Sequence, residues 1–427
     1  MKLKLTIILC AFLLYSPLFS QSEKTANGNK AKQIQNKKNE IKKIKNVDKK
    51  KQASPKNLSD NAASADRKQT TQKNYWEVDI STSQKAEIKA KIEALPKIRG
   101  IHITSWVAGN EKLRRSLIEK INNSVINAVA VAIKEKDGKV YIPGIEKAHK
   151  FSTYEPAIKD PEAMIQDFKK AGLYTMARIV CFHDDIMPKK NPEIAVKNPD
   201  GSVWRAKKGS TWVDPYNKGT WDYIIDVAER SAKLGFDEIQ FDYVRYPTEG
   251  NTSLCRFSQT HNKENATKNI ASFLDYARKR LSPYKVKISA DVFGLTTGSD
   301  MGIGQDLNLI AQHTDYVYPM MYPSHYYSGE YSLKNPDSQP YKVLDRGLKH
   351  ALKKTGENYV KIRPYLQDFS LGWKYGPTEL RAQIIAARAN MIDSWILWNP
   401  SVKYSWETLT PEIYRAFIDP YWEKESK

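Results

Sequence analysis

Cysteine is scarce in this sequence, and its scarcity narrows the class of protein. The 427 residues include three cysteines. Cys10 lies in an apolar stretch at the start of the chain, where we do not interpret it as lipid-modified, so Cys181 and Cys255 remain. Two cysteines are too few for a disulfide scaffold, although one bridge between them stays open. No spacing of cysteine and histidine is typical of a zinc site.

The sequence also has no glycine-rich phosphate loop and no dinucleotide-binding fingerprint, so we expect no cofactor. His183, Asp184 and Asp185 are the residues most similar to a set of metal ligands. Three adjacent side chains cannot all face one ion without a sharp turn, and we therefore expect no metal. We interpret this triplet as substrate contacts or loop structure.

The hydrophobic run that begins the chain is short. Residues 1–20 hold two lysines followed by an apolar segment from residue 5 to residue 19. This order is typical of a secretory signal peptide, whereas a membrane span needs about 20 apolar residues. An uncleaved anchor is the alternative. We therefore expect an exported protein that is periplasmic, secreted or associated with the cell envelope.

Residues 21–75 have no aromatic side chain before Tyr75. They carry fifteen Lys/Arg and five Asp/Glu, a net charge of +10 (15 minus 5), against +20 for the whole chain. Such a composition cannot bury enough apolar surface to fold, so we predict a disordered linker. On an exported protein its charge suits an anionic cell wall or membrane surface, and we expect no nucleic acid partner. A plain solvated spacer is the alternative.

The ordered domain is predicted over residues 76–427, and the stretch 234–247 shows how it is built. Apolar residues recur at helical spacing before Gly235, where a C-terminal glycine belongs. Residues 236–243 then place Glu238, Gln240 and Asp242 on one face and largely apolar side chains on the other. A surface strand would explain this alternation. If the preceding helix covers the apolar face instead, the polar face points into a barrel.

The pattern of a strand followed by a helix repeats eight times. The predicted strands cover 101–104, 125–133, 173–181, 236–243, 286–292, 316–322, 360–366 and 394–398. The predicted helices cover 80–95, 112–121, 160–171, 218–234, 264–281, 307–312, 342–353, 379–390 and 410–418. Strict alternation implies parallel pairing, and eight units predict an α/β fold, the closed (β/α)₈ TIM barrel.

Chemistry in such barrels sits at the carboxyl ends of the strands. The predicted exits carry carboxylates, aromatic rings, amides and histidines: His102, Trp106, His183, Asp184, Asp185, Asp242, Arg245, Asp291, Tyr322, His325, Gln367, Asp368, Trp398 and Asn399. Sugar rings stack on aromatic planes, their hydroxyls need fixed donors and acceptors, and glycosidic cleavage needs two carboxyl groups. The exits therefore favour a carbohydrate ligand.

Several motifs carry a family resemblance, and they fall in a fixed order: WVDPYN at 212–217, GFDEIQFDYVRYP at 235–247, SADVFG at 289–294, YPSHY at 322–326, RPYLQDF at 363–369 and LWN at 397–399. This set resembles a bacterial family of predicted glycoside hydrolases of unknown substrate. The resemblance covers roughly residues 98–405. It implies a TIM barrel of the broad glycosidase superfamily.

The exits of strands four, five and seven are also similar to those of α-amylase-like enzymes. That similarity implies a nucleophile at Asp242, a general acid at Asp291 and a transition-state stabiliser at Asp368. Strand five departs from that family, which has a glutamate there. Chitinase-like enzymes end strand four on a catalytic glutamate, whereas this chain has Val244 there and Gln240 further in, which argues against substrate-assisted chemistry.

We therefore predict an enzyme, a glycosidase that acts on an extracellular or cell-envelope polysaccharide or oligosaccharide through Asp242, Asp291 and Asp368. A non-catalytic carbohydrate-binding barrel or an envelope scaffold is the alternative, and no oligomeric state follows from the sequence. The residues expected to contact substrate are His102, Trp106, His183, Arg245, Tyr322, His325, Gln367, Trp398 and Asn399.

Each of these carboxylates also has a structural explanation. Asp242 could form an ion pair with Arg245, Asp291 could cap a helix or accept from backbone amides, and Asp368 could shape its loop. Glu238 lies deeper on the face of Asp242, and we expect it to pack against a barrel arginine, Arg178 or Arg363.

Overall fold

A computed structural model describes residues 80–299 and 301–423 of the chain. The predicted signal peptide at 1–20 and the predicted linker at 21–75 lie outside the described residues, as do residues 76–79. Within the described ranges, no helix combines the length and the apolar composition that crossing a membrane requires.

Eight parallel strands close into one barrel, which confirms the predicted (β/α)₈ architecture. Each strand pairs with the next, and the last pairs with the first. The strands are β1 Arg99–Ile103, β2 Ala128–Lys134, β3 Tyr174–Val180, β4 Glu238–Asp242, β5 Lys287–Phe293, β6 Tyr316–Met321, β7 Tyr365–Gln367 and β8 Trp395–Trp398.

Helices connect these strands around the outside of the barrel. They are α1 Thr82–Glu93, α2 Ser105–Gly109, α3 Glu111–Asn122, α4 Glu146–Lys150, α5 Pro161–Lys170, α6 Met187–Lys190, α7 Lys218–Leu234, α8 Lys263–Leu281, α9 Leu307–His313, α10 Pro340–Thr355, α11 Pro377–Ala389, α12 Pro411–Phe417 and α13 Pro420–Glu423. The predicted long helices are confirmed to within a few residues. The short helices α2, α4, α6 and α13 are not predicted, because four or five residues are too few to show a period.

Helix α7 shows why local sequence locates the long helices well. The Asn217 side chain accepts a hydrogen bond from the N–H of Thr220 at the start, and Gly235 ends the helix at φ 95°. Glycine adopts this left-handed conformation without the steric cost of a Cβ atom. The residues that begin and end the helix can therefore be recognised from the sequence, and the prediction of 218–234 is confirmed.

The predicted strand at 360–366 is wrong in its first half. Residues Gly356–Lys361 form a 3-10 helix, and β7 covers Tyr365–Gln367. Pro364 has no N–H to give to a neighbouring strand. Regular pairing with β6 accordingly begins after it, with Tyr365 opposite Met320.

Strand β4 has the two faces that the sequence predicts. Ile239 and Phe241 are fully buried in the main hydrophobic core, and the Phe241 ring lies 5.3 Å from that of Phe273 on α8. On the inner face, Gln240 accepts a hydrogen bond of 2.8 Å from the Tyr365 hydroxyl across the barrel. The helices thus cover the apolar face, and the polar face of β4 points into the barrel.

The lower part of the barrel interior is closed by a polar contact set around Glu238. The Tyr174 hydroxyl donates to Glu238 at 2.9 Å, and Arg363 Nη1 lies 3.6 Å from the same carboxyl oxygen. Glu238 has no exposed side-chain surface. Its predicted packing against a barrel arginine is confirmed, and a floor of buried side chains lies beneath the strand exits.

The two cysteines of the domain are both free thiols in this structure, so the bridge that the sequence left open is not formed. Cys181 is buried at the end of β3, as expected, and its Sγ atom lies 3.5 Å from the carbonyl oxygen of Ile179. Cys255 is half-buried in the long connection between β4 and α8.

Candidate active site

Asp242 and Asp291 lie side by side at the carboxyl ends of adjacent strands. The register pairs Phe241 of β4 with Ala290 of β5, so the next residue on each strand is a neighbour of the other. Paired strands are about 4.8 Å apart, and both aspartate side chains are buried, at 2% and 1% exposure. The structure therefore brings two of the three predicted catalytic carboxylates together.

Arg178 of β3 joins the two carboxyl groups. Its Nε and Nη2 atoms donate to Asp242 Oδ2 at 2.9 and 2.5 Å, and Nε lies 3.9 Å from Asp291 Oδ2. Both carboxyl distances start from the same Nε atom, so the two Oδ2 atoms are at most about 6.8 Å apart, which is 2.9 plus 3.9 Å. Glycosidases that retain configuration hold their carboxyl groups about 5–5.5 Å apart.

The ion pair of Asp242 is with Arg178 and not with Arg245, the partner considered from sequence. Its second oxygen, Oδ1, accepts from the N–H of Tyr243 at 2.6 Å. Tyr243 has φ 48°, a left-handed conformation that is uncommon outside glycine, and such strain concentrates at functional positions. Asp242 is thus a carboxyl group paired with a guanidinium and fixed from two sides.

Asp291 has a different environment. Neither carboxyl oxygen has a hydrogen-bond partner among the described residues, so the predicted alternatives of a helix cap or of backbone amides do not hold. Burial, followed by the negative charge of Asp242, raises its pKa well above the usual value, although Arg178 opposes this shift. Asp291 therefore holds its proton more tightly than an ordinary aspartate does, and both its oxygens are closed off from solvent.

Aromatic rings line this pair on the side of β8. The half-buried Trp398 ring lies 3.9 Å from the His102 ring and 5.0 Å from the Arg178 guanidinium. Burial and the neighbouring Arg178 charge lower the pKa of His102 well below its ordinary value, so its ring is neutral. Burial and the carboxylates raise the pKa of Tyr322, which keeps its hydroxyl protonated. The predicted residues His102, Tyr322 and Trp398 are therefore part of the candidate site.

Arg245 and His183 pack into the rim beside this site. The Arg245 guanidinium lies 4.8, 4.9 and 4.3 Å from the rings of Trp212, Tyr243 and Phe293. The His183 ring stacks on Trp212 at 4.8 Å, and burial lowers its pKa to about 3. Both residues are buried, so they support the exits of β3 and β4 through aromatic packing.

The triplet that begins with His183 points in separate directions. Asp184 forms a fully buried ion pair of 2.8 Å with Lys134, and its other oxygen accepts from the N–H groups of Ile186 and Met187. Asp185 accepts from the N–H of Thr211 at 2.7 Å. The two carboxylates therefore stabilise the loop after β3. Among the described residues, no group of three or more potential metal ligands occurs.

Gln367 and His325 lie at the exits of β7 and β6. Gln367 accepts from the Ser324 hydroxyl at 2.9 Å and donates to the carbonyl of Phe369 at 2.8 Å, which fastens the two exits together. The Tyr322 and His325 rings are 5.5 Å apart, and burial lowers the pKa of His325 to about 4. His325 therefore borders the ring of Tyr322.

Asp368 and Asn399 have their polar atoms engaged in a loop. Asp368 accepts from the backbone N–H and the hydroxyl of Ser405 at 2.7 and 2.8 Å. Asn399 donates to the carbonyls of Asp368 and Lys403. The structure thus does not place the Asp368 carboxyl with the pair on β4 and β5, and its contacts are those of the loop-shaping alternative.

Trp106, on α2, is 57% exposed.

Sequence reasoning did not include Arg178 and Glu135 in the site. Arg178 was expected only as a partner of Glu238, yet it is the residue that links the carboxyl pair. Its Nη1 donates to Glu135 at 2.7 Å. A usable signal was present, because Arg178 is the one charged residue in a strand that reads LYTMARIVC. Glu135 carries no comparable signal, since a polar residue after a strand is ordinary.

The chain is a closed (β/α)₈ barrel with two adjacent carboxyl groups at the ends of its fourth and fifth strands. The sequence profile of one family, described as "Putative glycosyl hydrolase domain", matches residues 100–404. This is more than half of the chain, and the protein belongs to that family. The resemblance seen in its motifs is confirmed.

Two solved structures are similar to this chain. A hypothetical protein from Ruminiclostridium thermocellum is 33% identical over 45% of this chain and 97% of its own, with a TM-score of 0.41. The PgaB (BpsB) glycoside hydrolase domain from Bordetella bronchiseptica is 15% identical over 76% of this chain and 99% of its own, with a TM-score of 0.57. The second comparison shows a shared fold. No curated protein matches the sequence.

Proposed function

We propose that this protein hydrolyses the glycosidic bonds of an extracellular or cell-envelope polysaccharide or oligosaccharide. The observation that carries the proposal is the split between two adjacent carboxyl groups. Asp242 forms a short ion pair with Arg178, whereas Asp291 has no hydrogen-bond partner among the described residues and its pKa is raised by burial. Two carboxyl groups with opposite protonation are what glycosidic cleavage needs. Membership of a glycosyl hydrolase family supports the same function.

The separation of the pair favours a mechanism with retention of configuration. Asp291 gives its proton to the glycosidic oxygen as the bond from that oxygen to the anomeric carbon breaks. Asp242 forms a new bond to the anomeric carbon. Water then attacks that carbon, gives its proton to Asp291 and releases Asp242. Inverting enzymes need about 6.5–9.5 Å to fit a water molecule, and the upper limit of about 6.8 Å leaves little room for it.

The neighbouring rings suit a sugar in this mechanism. The face of Trp398 offers a stacking surface, and His102 and Tyr322 offer polar atoms for hydroxyl groups. Trp106 offers a further, exposed ring on α2 after β1. Because the oxygens of Asp291 are closed off from solvent, substrate entry requires the rim to open. We propose that the rings beside the pair, Tyr322 and Trp398, move when the sugar enters.

The cell envelope is the proposed place of action. The predicted signal peptide at 1–20 would export the chain, and the predicted linker at 21–75 would hold it at an anionic wall or membrane surface. A polysaccharide of the envelope is then the nearest large carbohydrate. This part of the proposal depends on the sequence of the first 75 residues.

The test is hydrolysis of dinitrophenyl glycosides and of a panel of envelope polysaccharides by the wild type, Asp242→Asn and Asp291→Asn. We expect Asp242→Asn to lose at least about a thousandfold in kcat on both kinds of substrate. Asp291→Asn should lose activity on polysaccharides but keep the first step with dinitrophenyl glycosides, whose leaving group needs no proton. Trapping with a 2-fluoro glycosyl fluoride should label Asp242.

Two results would contradict the proposal. If the polysaccharides bind tightly but neither they nor the glycosides are cleaved, the barrel is a carbohydrate-binding module. If Asp242→Asn cleaves at the wild-type rate, the carboxyl pair is not the catalytic centre.

A further inference from the structure

The guanidinium of Arg178 has a third carboxylate partner outside the barrel interior. Nη1 donates to Oε1 of Glu135 at 2.7 Å, while Nε and Nη2 face Asp242. The Arg178 side chain is 4% exposed, but that of Glu135 is 28% exposed. Glu135 directly follows β2 and thus reaches the site from a different strand exit.

We propose that Glu135 is a positioning residue for the hydrolysis: it holds the Arg178 guanidinium between Asp242 and Asp291 and balances its charge while Asp242 is covalently bound to the sugar. This inference rests on the proposed function. Glu135 does not touch the reacting atoms, because the guanidinium lies between it and the carboxyl pair.

The backbone of Glu135 is fixed, so its carboxylate can act as an anchor. Its N–H donates to the carbonyl of Lys139 at 3.1 Å, and its carbonyl accepts from the N–H of Gly138 at 3.0 Å. Gly138 has φ 87°, which closes this tight turn and which side-chain-bearing residues rarely adopt. The anchor therefore sits in a hydrogen-bonded turn at the strand end.

The charge balance explains why a third carboxylate is useful. In the free enzyme, the one positive charge of Arg178 faces the negative charges of Asp242 and Glu135. When Asp242 forms its bond to the sugar, its negative charge is consumed. Asp291 has given up its proton at that stage, but it lies 3.9 Å from Nε. Without Glu135, the buried guanidinium would therefore keep no hydrogen-bonded carboxylate partner, and leaving a buried charge poorly paired is costly. Glu135 keeps Arg178 paired in both states.

Glu135 also influences Asp291 through Arg178. The groups that face Asp291 are Arg178 from β3, Cys181 after β3, Asp242 and Glu238 from β4, Tyr365 from β7 and Tyr322 after β6. Arg178 is the cation in this set, and it favours the ionised form of Asp291. Neutralising Glu135 exposes Asp291 to more of that positive charge, so Asp291 should lose its proton at a lower pH.

The experiment is a carbon NMR titration of the Asp291 carboxyl in the full chain with labelled aspartate. The Asp291 signal is assigned by its loss in Asp291→Asn. We expect Glu135→Gln to lower the titration midpoint by roughly half a pH unit or more, and Glu135→Asp, which keeps the charge, to restore most of it. The matched control is Glu155→Gln, because Glu155 pairs with Lys139 at 2.7 Å in the same segment without contact to Arg178.

The second readout is the pH dependence of dinitrophenyl glycoside and polysaccharide cleavage. For Glu135→Gln we expect the basic limb of the polysaccharide profile to move to lower pH. We also expect kcat to fall, with a smaller change in KM. An unchanged Asp291 midpoint and an unchanged profile in Glu135→Gln would overturn the inference and leave the proposed function standing. If the wild type cleaves no substrate, the proposed function fails, and the NMR titration alone decides whether Glu135 acts on Asp291 through Arg178.

Discussion

At the scale of single residues, the candidate site depends on how two identical side chains are given different protonation states. Asp242 accepts from a guanidinium and a backbone N–H, whereas Asp291 accepts from no group in the described chain. Both are buried, so partners and not exposure make the difference. A buried carboxyl without a hydrogen-bond partner is costly to ionise. Ionising Asp291 should therefore lower the free energy of unfolding, which can be measured.

Asp291→Asn should stabilise the fold at neutral pH. The folded-state pKa of Asp291 is raised above its unfolded value of about 3.9, so its contribution to stability is fully present below that pH. That contribution is lost as pH rises through the raised pKa. The gain of the variant over the wild type should therefore grow with pH and exceed the roughly 0.5 kcal/mol of an ordinary surface substitution. Guanidinium unfolding between pH 4 and 8 measures it.

Asp393→Asn should change stability in the opposite direction to Asp291→Asn, with the opposite dependence on pH. Burial opposes ionisation of Asp393, but Arg99 and Arg388 lower its pKa through contacts of 2.8 and 2.7 Å. Its stabilisation is present above the unfolded pKa and is lost as pH falls through the folded one. We expect a loss of about 3–5 kcal/mol at neutral pH, because Arg99 loses its carboxylate partner and Arg388 keeps only Asp419, at 3.2 Å. Equal pH dependence in both variants would contradict this account.

At the scale of elements, each strand exit is positioned by the helix that precedes it. Helix α7 is capped by Asn217 and ended by Gly235, and β4 begins at Glu238. The length of this connection sets which residues of β4 face inward. A shift of one residue would turn Asp242 towards the helices and Phe241 into the barrel. The end of α7 is therefore a structural condition for the site.

Gly235→Ala tests this condition. Gly235 has φ 95°, and alanine in this left-handed conformation lowers the free energy of unfolding by about 1 kcal/mol. We expect that loss in urea unfolding, together with reduced activity if the register of β4 loosens. Gly298→Ala is the control, because Gly298 is right-handed, with φ −91°, and a Cβ there would meet ordinary contacts from 3.4 Å. The control should change stability by less than about 0.5 kcal/mol, and an equal loss in both variants would contradict the argument.

At the scale of the whole molecule, the chain joins a barrel to a basic segment of different chemistry. Residues 21–75 carry +10 of the formal net charge of +20. Long-range attraction to an anionic surface depends on such charge and is screened within about 8–10 Å at physiological salt. The catalysis that we propose for the buried carboxyl groups of the barrel should not depend on it. The two parts should therefore be separable by experiment.

Replacing the lysines of residues 21–75 with glutamine should remove surface binding and leave turnover unchanged. We expect the wild type to sediment with vesicles rich in anionic lipid, or with purified cell wall, at low salt and to be released at high salt. The substituted chain should stay in solution at both. Hydrolysis of a soluble dinitrophenyl glycoside should be equal in the two proteins. Equal sedimentation would show that the segment is a plain spacer.

The sequence by itself determined the eightfold alternation, the inner face of β4 and the neighbouring positions of Asp242 and Asp291. These features follow from local periodicity, from helix caps and from the parity of side chains along a strand. The start of β7 was mispredicted, because the alternation of apolar and charged residues in Val360–Arg363 is typical of a strand, whereas Pro364 offers no N–H for pairing.

Only the tertiary structure decided which groups meet. Arg178 pairs with Asp242 across 64 residues of sequence and with Glu135 across 43, and Asp368 is held by Ser405 across 37. Such contacts depend on barrel register and on side-chain rotamers, which no local pattern encodes. The same dependence left Arg245 with aromatic rings instead of Asp242. Local sequence placed the carboxyl groups at the strand exits, and packing across the barrel gave each its charge state.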